Sequence, residues 1–91
     1  MNNWKVYILE CSDNSLYTGI TNNLPKRIKT HNEKKGAKYT RARTPVNLVY
    51  SEGDFSRSEA SKREYQIKKL SRENKLKMIQ EKTNNSYQSK T

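Results

Sequence analysis

Only 15 of the 91 residues are Leu, Ile, Val or Phe, while 19 Lys/Arg stand against 9 Asp/Glu for a formal charge of +10. As averages, these figures fall in the range that flags disorder, because so little apolar surface cannot offset the entropy of ordering a chain. Their distribution points the other way. Six Tyr and one Trp add aromatic area, and the apolar residues cluster with clear periodicity. The length allows one domain. A domain this short hides only about 60–65% of its unfolded surface, so its core is thin. The expectation is one folded α+β domain over residues 1–82, followed by a disordered polar tail over residues 83–91 (TNNSYQSKT).

The order of elements follows from local pattern. Trp4–Cys11 (WKVYILEC) is rich in β-branched, aromatic and aliphatic residues and reads as a strand, as does Ser15–Thr21. The turn between them decides which side chains share a face. A three-residue Ser12–Asn14 loop would put Asn14 in the left-handed region, pair Leu9 with Tyr17 and Tyr7 with Gly19, and place Tyr7 and Tyr17 on one face. A two-residue Asp13-Asn14 loop would put them on opposite faces. Asn22/Asn23 with Leu24-Pro25 opens a helix expected to reach about Lys35 and stop at Gly36. Ala37–Pro45 reads as a basic loop with room for one helical turn. A third strand falls within Val46–Phe55, centred on Asn47–Ser51. Ser56 and Glu59 form a capping box for a helix through about Leu70, with Glu59–Arg63 and Glu64–Lys68 as i,i+4 pairs. Ser71 caps a last helix to about Glu81, with Leu76 and Ile79 turned inward. The predicted order is β-β-α-β-α-α.

Composition narrows the function classes. No apolar run nears the roughly 18 residues of a membrane span, and Met-Asn-Asn-Trp-Lys lacks the form of a signal peptide. The single Cys11 has no internal partner, and no Cys/His spacing suggests zinc. The expected location is cytoplasmic. The positive excess favours a polyanionic partner, above all nucleic acid. Residues 24–43 sum to +7 and residues 62–82 to +5. A charge run is ordinarily a solvated face. Lys34, Lys35, Lys38, Arg41 and Arg43 differ from that pattern, because Tyr39 is interleaved and no acid lies within Lys34–Arg43. Basic clusters with interleaved aromatics suit phosphate contact.

Two predicted helices carry polar residues where packing would favour apolar ones. Leu24, Ile28 and His31 form one stripe, and Arg27 sits one turn before His31, so that the two project together. An exposed pair snorkelling past the core is the plain alternative. Glu64 lies between Ala60 and Ile67 on the only apolar stripe of its helix. A carboxylate there is costly unless paired, protonated or bound to metal; a simple bridge to Lys68 is the plain alternative. Gly19 inside a strand marks close approach by a ligand or another side chain.

Val6-Tyr7, then Tyr17-Thr18-Gly19, then Arg27 and His31, then Glu64 resembles the GIY-YIG nuclease domain, and most closely its small stand-alone bacterial members. The resemblance runs from about Trp4 to Leu76. It implies a three-stranded antiparallel sheet flanked by helices, and a metal-dependent endonuclease that cleaves phosphodiester bonds in DNA, with RNA as a further candidate. On this resemblance Tyr7 and Tyr17 are the motif tyrosines, Arg27 the family arginine, His31 the position of a family His or Tyr, and Glu64 the ligand of one Mg²⁺ or Mn²⁺. Asn74 is a candidate for the family's late asparagine. Lys5 replaces the first motif glycine, Thr18 replaces an isoleucine, and Ile20 stands where many members carry lysine.

Such chemistry needs an activated water, neutralised phosphoryl oxygens and help for the leaving group. Tyr7, Tyr17 and His31 are all candidate bases. A tyrosine with pKa of about 10 needs a neighbouring cation to act near neutrality, whereas a histidine near about 6.5 does not. Gly19, Lys34, Lys35, Lys38, Tyr39, Arg41 and Arg43 are the expected nucleic-acid contacts. A non-catalytic nucleic-acid-binding protein of the same fold, or a module binding an acidic protein, would share this composition.

Overall fold

The structure, a computed structural model, describes residues 2–88. Three antiparallel strands, β1 (Trp4–Glu10), β2 (Leu16–Thr21) and β3 (Asn47–Phe55), form a sheet in the order β2-β1-β3. The helices are α1 (Leu24–Asn32), the single turn α2 (Lys38–Arg41), α3 (Arg57–Lys68) and α4 (Arg72–Gln88). The α+β class and the β-β-α-β-α-α order agree with the sequence pattern.

Strand β1 is central and buried on both faces, which is why its sequence is nearly all apolar. Val6 and Ile8 pack on Ala60 and Ile67 of α3, with Met78 and Ile79 of α4 beside them. Leu9, Cys11 and Val46 form a second cluster on the other face, with Tyr17 and Ile28 against it. The sheet therefore separates two small cores.

The β1–β2 turn settles the parity question. Asn14 adopts φ 68°, Cys11 N–H donates to Ser15 O, and Leu9 faces Tyr17 while Tyr7 faces Gly19. Asp13 Oδ1 accepts from the Ser15 amide and hydroxyl and braces the turn. Tyr7 and Tyr17 consequently share a face.

Caps appear where the side chains call for them. Asn23 accepts from Lys26 N–H ahead of α1, Ser56 and Glu59 form the reciprocal box of α3, and Ser71 Oγ accepts from Asn74 N–H at the start of α4. Several boundaries differ from expectation. α1 ends at Asn32 rather than Lys35, because Lys34 takes the left-handed conformation (φ 66°) while Lys35 N–H returns to Thr30 O. Gly36 is thus not the helix stop. β3 continues to Phe55, since Glu52, Gly53 and Phe55 keep pairing with β1 as an edge strand. α3 ends two residues short of the expected Leu70.

Glu59 serves the capping box, so Arg63 pairs with Glu52 on β3 at 2.5 Å instead of with Glu59; the Glu64–Lys68 pair forms. Leu76 is 41% exposed, while Met78 and Ile79 cover the core. The last helix also runs past the expected Glu81. No Gly or Pro follows Ser71 to break a helix, and α4 runs on through Gln88. The rest of the expected tail, residues 89–91, lies outside the described residues. Among the described residues no helix is long and apolar enough to cross a membrane.

With so thin a core, each buried aliphatic side chain carries a large share of stability. Ile67→Ala should cost about 2–5 kcal/mol through lost transfer energy and a cavity. Tyr65→Ala on the outer face of α3, where Tyr65 is 63% exposed, should cost less than about 1 kcal/mol. Urea unfolding of both variants measures the contrast.

Candidate active site

Tyr7, from the middle of β1, and His31, from the last turn of α1, are both fully buried. The Tyr7 hydroxyl lies 2.9 Å from His31 Nε2, and His31 Nδ1 lies 2.8 Å from Thr40 Oγ1 on α2. Thr40 spends its own hydroxyl proton on Ala37 O at 3.0 Å. Its oxygen therefore accepts from His31 Nδ1–H, which leaves Nε2 unprotonated to accept from Tyr7 O–H. Arg27 Nε–H donates to the Tyr7 oxygen at 3.4 Å. One directed chain runs from Arg27 through Tyr7 and His31 to Thr40.

Two glycines make room for it. A Cβ on Gly19 would lie 2.6 Å from the Tyr7 hydroxyl, and one on Gly36 would lie 2.4 Å from His31 Nδ1. Gly19 is buried beneath Tyr7, so the close approach it permits in the free protein is by a side chain. The electrostatics follow from burial. Desolvation pushes His31 down to about 4, aided by the positive Arg27, so its imidazole is neutral at pH 7. Desolvation raises Tyr7, partly countered by the Arg27 hydrogen bond. Both groups are neutral in the resting site.

Tyr17 lies beside this chain. Its ring is edge-on to His31 at 5.3 Å, and its centroid is 6.4 Å from that of Tyr7. It is half-buried, and among the described residues no hydrogen bond to its hydroxyl is present, so that hydroxyl is open to water. Tyr39 stacks on Tyr17 at 6.1 Å, and the Arg43 guanidinium lies over the Tyr39 ring at 3.9 Å. Arg43 is in turn held by Asp13 at 3.0 Å and donates to Tyr39 O. Arg43, expected as a nucleic-acid contact, is thus paired with an acid in the free protein, and Tyr39, expected as another, is stacked on Tyr17. Both remain partly exposed, Tyr39 at 39% and the Arg43 side chain at 36%. Lys34, Lys35, Lys38 and Arg41 are exposed and have no acidic partner among the described residues.

Glu64 comes from α3, in the opposite layer. Its negative charge nonetheless reaches Tyr7 and helps raise that phenol's pKa, while Arg27 pulls it down. That influence of Glu64 is the smallest acting on the phenol, after burial, Arg27 and Tyr17. Glu64 Oε2 is paired with Lys68 Nζ at 3.1 Å, the acid being 23% and the lysine 52% exposed. A groove of about 180 Å³ lies along β2, lined by Leu16, Tyr17, Thr18, Tyr39, Lys68 and Lys75. Asn74 is exposed in the first turn of α4, and its side chain is not joined to the tyrosines by any hydrogen bond among the described residues. Lys5 pairs with Asp54 at 3.8 Å and so does not serve either tyrosine. Thr40, Gly36 and Asp13 escaped the sequence reading. Asp13 looked like turn chemistry, and nothing local marks Thr40 as the partner of a histidine nine residues away.

Among the described residues no group of three or more His, Cys, Asp or Glu gathers as a metal-binding set. A single carboxylate is still compatible with a hard divalent cation that takes its remaining ligands from water and phosphate oxygens, the common way Mg²⁺ is held. Glu64, beside an open groove, meets that minimal requirement.

Comparison with known proteins agrees with this geometry. Residues 3–77 match the model of the GIY-YIG catalytic domain. The UPF0213 protein of Staphylococcus haemolyticus is 63% identical over 76 residues, covering 84% of this chain and 93% of that protein. The UPF0213 protein YazA of Bacillus subtilis is 51% identical over 83 residues, covering 91% and 84%. The solution structure of a UPF0213 protein from Bacillus halodurans superposes with a TM-score of 0.55 at 48% identity, covering 85% of this chain and 82% of that one. A solution structure of an E. faecalis protein gives the same TM-score at 37% identity, covering 86% and 88%. The chain belongs to the GIY-YIG nuclease family, among its small bacterial UPF0213 members.

Proposed function

We propose that this protein is a divalent-metal-dependent endonuclease that hydrolyses phosphodiester bonds in DNA. The observation that supports the reading is the match of residues 3–77 to the GIY-YIG catalytic domain, with Arg27 bonded to the buried Tyr7 and Tyr17 beside it.

Arg27 uses Nε on Tyr7 and has no acidic partner among the described residues, so the rest of its planar fork can hold the non-bridging oxygens of a phosphate. Tyr7, His31 and Thr40 fix that guanidinium in place. Tyr17 is the tyrosine whose hydroxyl meets the groove, and it is the group assigned to orient the attacking water and take its proton. Glu64 would hold one Mg²⁺ or Mn²⁺, which when bound supplies charge neutralisation and a polarised water. Lys34, Lys35, Lys38 and Arg41 would track the backbone, adding salt dependence without sequence preference.

Cleavage and binding measured together on a plasmid substrate with Mg²⁺ or Mn²⁺ test this. Glu64→Ala and Arg27→Ala should each lower cleavage by at least about 100-fold, with binding retained for Glu64→Ala. Tyr17→Phe should lose cleavage with little change in stability. If wild type binds DNA but nicks no substrate with either metal, the protein is a binder that keeps the fold. The triple variant Lys34/Lys35/Arg41→Ala should weaken binding and flatten its salt dependence by up to about three units of slope.

The neutral buried His31 also predicts a pH dependence of stability. An unfolded histidine takes a proton near 6.5, this folded one only near 4. Between these values the unfolded chain binds more protons, so stability is full above about pH 6.5 and falls as pH drops towards 4. Between pH 6.5 and 5, a window in which carboxylates hardly titrate, His31 should account for a loss of about 1.5 kcal/mol. Urea unfolding across that window should show the decline in wild type and a flat profile in His31→Gln.

A further inference from the structure

We propose that Lys68 is a substrate-phosphate ligand which, in the free protein, is held in reserve on Glu64. A phosphodiester entering the β2 groove draws the ammonium off the carboxylate, and only then is Glu64 free for a divalent cation. The idea rests on the metal role assigned to Glu64 above and adds an order of events to it.

Three observations converge. Lys68 Nζ sits 3.1 Å from Glu64 Oε2, on the carboxylate that the cation would use. The same lysine lines the groove that contains Tyr17. Lys75, from α4, lines that groove as well and has no acidic partner among the described residues. The groove thus presents two ammonium groups over an apolar and phenolic lining, which suits the alternating phosphates and rings of a polynucleotide strand.

Exchange is physically easy. Lys68 is 52% exposed, its stem is flexible, and an i,i+4 pair of this kind is weak in water. Phosphate is an equally good partner for an ammonium. An ammonium and a divalent cation on one carboxylate would repel each other strongly at such short range. Glu64 can therefore serve Lys68 or a cation, and groove occupancy decides which.

The test is Mn²⁺ binding to the full chain without nucleic acid, followed by electron paramagnetic resonance. Lys68→Gln should bind Mn²⁺ about threefold to fivefold more tightly than wild type, in keeping with the worth of an exposed pair. Lys68→Arg, which keeps the pair, and Lys75→Gln, which never touched it, should match wild type. Adding Glu64→Gln to Lys68→Gln should remove the gain. In EDTA, anisotropy with a labelled DNA oligonucleotide should show weaker binding for both Lys68→Gln and Lys75→Gln, each lowering the salt slope by about one. Unchanged or weaker Mn²⁺ binding in Lys68→Gln, while Glu64→Gln alone still lowers it, overturns the reserve role and leaves the metal assignment standing. Mn²⁺ binding indifferent to Glu64→Gln in every background overturns both.

Discussion

Burying a phenol and an imidazole in a chain with so little apolar surface is tolerable only because each closes the other's hydrogen-bonding capacity. Tyr7 and His31 are both fully buried, and each finds its partner in the other, with Arg27 and Thr40 completing the set. No buried side-chain polar atom among the described residues is left unpaired. The chain of bonds also ties β1, α1 and α2 together on the face where aliphatic contacts are few. A polar network here takes part of the cohesive role that a larger domain assigns to its core.

The same network explains why the site is asymmetric. One tyrosine is sealed and structurally committed; the other is open at a groove. Their spacing along the chain gives no hint of this division, since both sit in strands on one face. The difference arises from neighbours. Tyr7 lies on the central strand under α1, whereas Tyr17 lies on an edge strand and is stacked by the exposed Tyr39.

Most of the architecture was legible because it is local. Caps at Asn23, Ser56 and Ser71, the Asn14 turn and the apolar run of β1 act within a few residues of themselves. Boundaries were less legible where the stop was unusual, as at Lys34, whose left-handed backbone ends α1 before the glycine that looked responsible. Tyr7, Arg27 and His31 were legible as a group, and the bonds that join them were not. Arg43 seemed an unneutralised cation because its acid, Asp13, is thirty positions earlier, and Gly19 signalled close approach without saying that the tyrosine above it comes from another strand. Charge counted along a sequence overstates what is available to a ligand whenever folding brings a distant acid alongside.

The alternation along β1 has a consequence for how the protein can fail. Odd positions carry the phenol towards the imidazole; even positions carry Val6 and Ile8 towards Ala60 and Ile67. Sliding this strand by a single step against its neighbours would exchange the two sets, driving a hydroxyl into the aliphatic layer and a methyl-bearing side chain against a histidine ring. Misalignment therefore has no partially working form. The polar and the greasy halves must find their register together, and each polices the placement of the other.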